Sequence, residues 1–461
     1  MTDLTMARKN VAVIDVGKTN AKLALVDGNT LTEVAVVTRP NTVIPGPPYP
    51  HFDLEGHWQF FLEALKAFNT KYGIDAISIT THGASIVLLQ ADGTLATPML
   101  DYEFDGPNAL AEAYDKLRPP FSETGSPRLA GGLNVGAQLH WLLKTDPALL
   151  SRTEHVITYP QYWGFRLTGN MACDVTSLGC HTDLWNPWKR QPSSLPARLG
   201  ISEKLAASRR SSEVLGTVSD GISRITGLPD NTPVLCGIHD SNASLVPYLN
   251  HDDGPTSVVS TGTWVICMAL GSPNSKELDS DRDTLVNVNA LGEPVPSARF
   301  MGGREYEIIL NGSLSIPTDE DRREVHEKHI MLLPSVVSES GPFRGQSMSW
   351  SREPKTDGQK VYALSLYLAL MTDFCLGLIG GTGATVVEGP FAKNGDYVDM
   401  LMTLRERGVA TAKSATGTSV GAAMLYQELA SPNSNVERCG SPNPMLLEYA
   451  RKWQSSVTHC Q

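Results

Sequence analysis

Two aspartates stand where carboxylate chemistry could be done, and each lies near a turn of small residues. Asp15 closes the apolar run "VAVID" and precedes Gly17-Lys18-Thr19-Asn20. A carboxylate there can hold a water of a Mg2+ ion, while the turn offers backbone N–H groups to an anion. Gly17-Lys18-Thr19 also matches the tail of a phosphate-binding P-loop. That loop needs a glycine five residues before the Gly-Lys pair and a helix directly after it. Position 12 is Ala12, and Leu23, Leu25 and Val26, with Lys22 on the alternate face, read as a strand. The stretch is a β-hairpin, and an ordinary hairpin with a surface acid would use the same residues.

Asp240 lies between "VLCGI", a short buried strand, and "SNASLVPYL", which opens with helix-starting residues. His239 and Asp240 thus fall at the carboxyl end of a strand, where open α/β sheets place their chemistry, although an aspartate before a helix is also a common cap. "TSVVSTGTWVICMALG" follows at 256–271 and repeats the first architecture, with Ser260, Thr261 and Thr263 as hydroxyl donors around Gly262. Gly17 and Gly262 are 245 positions apart, slightly over half the chain, which implies a duplication. Two such turns facing a shared cleft could grip a triphosphate from both sides; two tight turns between buried strands are the plainer alternative.

Bulk properties narrow the partners. The 461 residues suffice for two or three domains, and 41% hydrophobic with 19% charged residues is the balance of a globular protein. A net charge of -11 argues against a nucleic acid or an anionic membrane as partner. No run of 18 apolar residues occurs, and "MTDLTMARKN" lacks the apolar core of a signal peptide, so a cytoplasmic location is expected. The seven cysteines (Cys173, Cys180, Cys236, Cys267, Cys375, Cys439 and Cys460) form no C-x-x-C pair and read as reduced, small hydrophobes, not as a disulfide framework or zinc site.

Taken in order, these motifs resemble the FGGY carbohydrate kinases of the actin, hexokinase and Hsp70 superfamily. The family's Asp-x-Gly-Thr/Ala-x-x-x-Lys/Arg hairpin is matched by Asp15, Gly17 and Lys22, its Gly-x-x-Asp-x-x-Ala segment by Gly237, Asp240 and Ala243, and its Ser-x-Gly-Thr turn by Ser260, Gly262 and Thr263. "TGTSVGAAML" at 416–425 is similar to the family's Gly-Ala-Ala helix at the hinge. "GIHDSNASL" and "STGTWVICM" are closest to the L-fuculose and L-rhamnulose kinase branch. The resemblance implies an α/β, two-domain actin/hexokinase/Hsp70-like (ribonuclease H-like) fold with a cleft between the duplicated domains, each built on a mixed five-stranded sheet. Residues 1–246 would hold the sugar and 247–461 most of the nucleotide.

The same resemblance implies a phosphotransfer that uses ATP and Mg2+, with a ketose hydroxyl as acceptor and a 6-deoxyketose such as L-fuculose or L-rhamnulose as the leading choice. A sugar-sensing pseudokinase on the same fold, weak or inactive, is the alternative. The partner would be a small-molecule sugar, with no nucleic acid and no membrane, and a homodimer is compatible with it. Asp240 would be the general base and, with Asp15, the metal site. Gly17, Lys18, Thr19, Asn20, Lys22, Thr261, Gly262, Thr263 and Gly389 would face the nucleotide. Two departures stand out. The adenosine element, "VVEGPFAKNGDY", keeps only Gly389 between Glu388 and Pro390. Lys18 replaces a residue that is usually small, and reads as an extra phosphate contact or a solvent-facing side chain.

A sugar pocket needs polar forks and a flat apolar face. "ISITTHGASIVLLQADG" breaks between two strands at Thr81-His82-Gly83, and this break, which contacts the sugar in the kinases it resembles, makes His82 a candidate. The same resemblance implies further substrate-side residues: Asp101 and Tyr102 in "MLDYEFDGP", Gln161, Tyr162, Trp163 and Asp174 in "TYPQYWGFRLTGNMACDVTSLG", and His239. A loop histidine without a ligand, and aromatics packed into the core, are the competing readings. "QKVYALSLYLALMTDFCLGLIGGTG" reads as a long buried helix ended by a glycine cap. Residues 40–53, with five prolines, read as an extended surface loop, and residues 272–282 as a polar loop.

Overall fold

In the computed structural model, which describes residues 9–249, 254–272, 278–313, 315–412, 417–427, 436–438 and 443–458, the chain forms two compact units. Unit 1 comprises Met1–Asn250, Val286–Pro294 and Thr416–Ser431, and unit 2 the remainder. By chain contacts the polypeptide returns to unit 1 at Val286–Pro294 and again at Thr416–Ser431. Packing explains the return. Ala290 and the helix Thr418–Met424, the anticipated Gly-Ala-Ala element, join Val11, Val13, Leu235 and Ile238 in one buried cluster. Ser78 Oγ also donates to the Ala422 carbonyl at 2.7 Å.

Unit 1 is organised on strands β1 (Asn10–Val16), β2 (Asn20–Asp27), β3 (Thr32–Pro40), β4 (Ala76–Thr81), β5 (Val214–Thr217), β6 (Pro233–Leu235) and β7 (Ile238–His239). The order is β5-β6-β4-β1-β2-β3, and β7 also pairs with β4. The hairpin β1–β2 places Asp15 opposite Lys22, while the parallel pairing β1–β4 places Asp15 beside Thr80. β6 and β7 are one strand interrupted at Gly237, whose φ of +93° and approach to the Ile79 carbonyl exclude a side chain. The break turns the chain so that His239 ends opposite Thr81. One face is covered by the helix Leu54–Tyr72, which Asp53 caps at Gly56 N and which buries Trp58, Phe61, Leu65 and Phe68 at helical spacing.

Unit 2 repeats the hairpin-centred plan. The sheet is formed by β8 (Thr256–Thr261), β9 (Val265–Leu270), β10 (Thr284–Val288), β11 (Pro294–Phe300), β12 (Ala384–Glu388), β13 (Val409–Ala412) and β14 (Val436–Arg438), in the order β10-β11-β9-β8-β12-β13-β14, with residues 286–288 and Pro294 counted in unit 1. Both sheets therefore have seven strands instead of the expected five, because short edge strands and the broken β6–β7 pair extend each core. The helix Asp357–Leu378 is long and apolar enough to cross a membrane, but most of it is buried in unit 2. Thr356 caps its start, and Gly380 and Gly381 close its end onto the Gly377 and Leu376 carbonyls. Residues 273–277 of the expected polar loop, Thr416, Cys439 and Cys460 lie outside the described residues.

Candidate active site

Asp15 sits at the end of β1 and is almost fully buried. Three donors converge on its Oδ2: Thr418 Oγ1 at 2.6 Å, Ser419 Oγ at 3.0 Å and Lys22 Nζ at 3.1 Å. Thr418 and Ser419 were missed by sequence reasoning, since a contact about four hundred positions away leaves no local signal. The turn after Asp15 closes through Gly17 N to the Asn20 carbonyl at 2.9 Å. It is braced from outside. Asn41 Nδ2 donates to Gly17 O at 2.8 Å, and Asn41 N donates to Thr19 O at 2.8 Å. His57 Nε2 then donates to Asn41 Oδ1 at 2.8 Å, because Arg39 Nη1 occupies His57 Nδ1 at 2.7 Å and an arginine can only donate. Burial holds the His57 pKa down at about 4, which keeps the ring neutral.

Asp240 is the first residue of the short helix Asp240–Ala243, directly after β7. Its Oδ1 accepts from Ser241 N at 2.6 Å and lies 3.1 Å from His239 Nε2. Asn242 Nδ2 donates to His239 Nδ1 at 3.0 Å, so the imidazole proton is on Nε2 and points at the carboxylate. Burial lowers the His239 pKa to about 4 and raises that of Asp240 to about 6. His82 opposes the rise at Asp240, and the Asp15 carboxylate adds to it. A Cβ on Gly83 would stand 2.7 Å from His239 Nε2, so the glycine in Thr81-His82-Gly83 makes room for the ring.

The sugar-side candidates divide into two groups. His82, Tyr102, Asp101 and Lys18 come together. The His82 ring packs 5.3 Å from Tyr102 and 5.1 Å from Phe52, its Nδ1 donates to Gly83 O at 2.9 Å, and its buried Nε2 has no hydrogen-bond partner. Lys18 is not extended into solvent; its Nζ bonds Asp101 Oδ1, stands 3.1 Å from Glu103 Oε2 and lies 4.7 Å above the Tyr102 ring. That pairing draws it toward the sugar-side residues, against the expected phosphate contact.

Gln161, Trp163 and Asp174 are fully buried and form the second group. Trp163 is a core residue, stacked with Trp58 and packed on Phe61 and Tyr162, so no sugar can lie on it. Gln161 Nε2 donates to the Cys236 carbonyl at 2.7 Å, just before the break at Gly237. Asp174 caps the helix Val175–Leu178 and accepts from Ser211 Oγ at 2.8 Å, and Thr176 Oγ1, bonded to that carboxylate, accepts from His239 N at 2.9 Å. Both polar groups bond the chain around the His239–Asp240 junction and support it from behind.

In unit 2, Gly262 N donates to Trp264 O at 2.9 Å to close the second turn. Gly303 N donates to Thr263 O at 3.2 Å, and Thr261 Oγ1 donates to Glu388 O while accepting from Phe391 N at 3.1 Å. Gly389, with φ of +83°, lies against the Thr261 carbonyl, where any Cβ would clash. Its glycine character thus serves close packing of β12 on β8. Among the described residues no cluster of histidine, cysteine or acidic side chains has the makings of a ready-built metal site.

Known proteins share this plan. Residues 11–247 match the model of the FGGY family of carbohydrate kinases, N-terminal domain, and residues 253–435 match the model of carbohydrate kinase FGGY, C-terminal domain. A carbohydrate kinase from Novosphingobium aromaticivorans is 35% identical and superposes with a TM-score of 0.90 over 97% of this chain and 100% of its own. A xylulose kinase from Lactobacillus acidophilus, 16% identical, shares the fold with a TM-score of 0.77 over 98% of this chain and 96% of its own. L-Fuculokinase of Escherichia coli (strain K12) is 25% identical over 281 residues, 57% of each chain. Rhamnulokinase of Pectobacterium atrosepticum is 25% identical over 301 residues, 62% of this chain and 58% of its own, so this chain spans little more than half the length of the curated relatives it matches. With both family models matched in order along it, the chain belongs to the FGGY family of carbohydrate kinases, phosphotransferases of the two-domain actin-like fold.

Proposed function

We propose that the chain is an ATP-dependent sugar kinase that phosphorylates a hydroxyl of a neutral ketose, with Asp240 as the general base. The observation that carries this reading is the Asp240 carboxylate, raised to a pKa of about 6 while 27% of its side chain stays open. Such a group is ionised at pH 7 and can still accept a hydroxyl proton late in the transfer. The His239 Nε2–H fixes Oδ1 without sharing a charge. Most of the barrier then falls by positioning and by neutralising the phosphate oxygens.

A Mg2+ ion fits the same carboxylates. Asp15 raises the pKa of Asp240, a repulsion that a cation would relieve, and the donors on Asp15 converge on Oδ2 alone. Bound there by Asp15 and Asp240, the ion would neutralise phosphate charge. We assign the sugar to residues 1–246, through His82, Asp101 and Tyr102, and most of the nucleotide to 247–461, through Thr261, Gly262, Thr263 and Gly389. Gly17, Thr19 and Asn20 would meet the phosphates. The names of the relatives favour a 6-deoxyketose such as L-fuculose or L-rhamnulose. Four buried cysteines, Cys173, Cys236, Cys267 and Cys375, carry no disulfide and fit a reducing compartment, and we place the protein in the cytoplasm.

A coupled ADP-release assay over a panel of ketoses tests the reading. Asp240→Asn should keep sugar binding and lose about 100-fold or more in kcat, the size of a lost general base. In the parent enzyme kcat/KM should fall below about pH 6, as Asp240 takes up a proton. Full activity in the asparagine variant would remove Asp240 from the mechanism.

A further inference from the structure

Among the described residues, the Lys18 ammonium is the cation that Asp101, Glu103, Tyr102 and Phe52 share. It bonds Asp101, stands 3.1 Å from Glu103 and lies 4.7 Å and 5.1 Å above the Tyr102 and Phe52 rings. Only 22% of the side chain is exposed. The chain turn that carries it belongs to the phosphate hairpin, yet the side chain leaves that turn and joins the loop around Asp101. Two carboxylates on one ammonium leave an excess negative charge, and Asp240 adds another nearby, since His82 feels both Asp240 and Lys18. Such a cluster repels a carboxylate on the sugar. It suits neutral hydroxyls. An ammonium has three N–H donors, two of which are taken here. The orphaned His82 Nε2 beside it is a buried acceptor without a partner, a second sign that polar ligand atoms complete this patch.

We infer that Lys18 is a specificity-determining residue of the sugar site: its third N–H binds an acceptor hydroxyl or carbonyl oxygen, and its pairing with Asp101 and Glu103 excludes sugars that carry a carboxylate. This inference rests on the sugar-kinase reading above. It separates this chain from a kinase in which the same position touches phosphate.

Two variants test it. Lys18→Met should raise KM for the ketose about tenfold or more, the usual cost of a lost charged hydrogen bond, while KM for ATP stays within about twofold. A rise in the ATP constant with an unchanged sugar constant would overturn the inference, as would no change in either. Lys18→Arg should restore part of the sugar affinity. Because Lys18→Met strands the buried Asp101 carboxylate and could disturb folding, Glu103→Gln supplies an independent arm: its side chain is 62% exposed, and its loss leaves Lys18 with spare charge. The ratio of kcat/KM for an aldonic acid over that for the ketose should rise at least about threefold in Glu103→Gln, and a constant ratio counts against Lys18. If the parent enzyme turns over no sugar, the kinase reading fails by itself. Calorimetric binding of the ketose to parent and Lys18→Met then decides the role of Lys18: equal affinities overturn it, and weaker binding to the variant upholds it.

Discussion

The two glycine turns share a topology and differ in what holds them. The turn after Asp15 is braced by Asn41, through its side chain on Gly17 O as well as its backbone N on Thr19 O, and that side chain is backed in series by His57, Arg39 and Asp53. The turn at Gly262 is braced by backbone, through Gly303 N on Thr263 O and through Gly389 against the Thr261 carbonyl. Steric tolerance is inverted with respect to expectation. A Cβ on Gly17 would meet only Asn20 O at 3.6 Å, and one on Gly262 only Trp264 O at 3.9 Å, both ordinary contacts. Gly303 and Gly389, which lie outside the turns, have no room at all. Duplicated strands can thus keep one shape while the supporting chemistry diverges, and the glycines that define a motif need not be the ones that packing fixes.

The largest effect should come from the backbone brace. In Gly303→Ala a Cβ would press into the Gly262 carbonyl, a backbone atom that cannot swing aside. We expect a loss of about 4 kcal/mol or no folded protein, at the upper end of overpacking costs. Gly17→Ala should leave the thermal midpoint within about 2 °C, with any defect appearing in KM for ATP. Equal stability of the two variants would erase the contrast.

Asn41→Ala attacks the other brace. It leaves Gly17 O and the buried His57 Nε2–H without partners and should cost about 2 kcal/mol, most of it from the His57 N–H, since Gly17 is only half-buried. The accompanying loosening of the turn should raise KM for ATP more than KM for sugar. Denaturant unfolding and steady-state kinetics on one preparation read both.

Much of this was legible from sequence because it is local. The pattern Val11, Val13, Ile14 against Leu23, Leu25, Val26 gives the first hairpin, and the polar start of "SNASLVPYL" places His239 and Asp240 at their junction. The braces were not legible, because their partners are remote and of common residue types: Asn41 and His57 sit in a proline-rich loop and a helix with nothing to mark them, and Thr418 meets Asp15 only through tertiary packing. Trp163 misled for a related reason. An aromatic in a sugar-kinase segment stacks on a ring or fills a core, and only burial separates the two. Lys18 was read by its place in a phosphate-like turn, whereas two carboxylates from a distant loop decide where its ammonium goes.

The smallest expected effect sharpens the comparison by pH. The helix Gly302–Leu310 that braces the second turn carries Glu305, fully buried beside the Tyr367 hydroxyl, with Oε1 accepting from Val337 N at 3.2 Å. Burial raises its pKa to about 7 from an ordinary value near 4.5. A carboxyl raised in the folded state contributes stability that is complete below pH 4.5 and is lost as pH rises through 7, because the unfolded chain ionises first. His57 in the first brace has the opposite sign: its folded pKa of about 4 lies below the unfolded 6.5, so its contribution is present above 6.5 and is lost as pH falls toward 4. Glu305→Gln should therefore match the parent protein near pH 4.5 and exceed its stability at pH 8, by chemical denaturation. A gain that is the same at both pH values would mean that Glu305 acts through packing alone, and the two braces would then differ in geometry but not in charge.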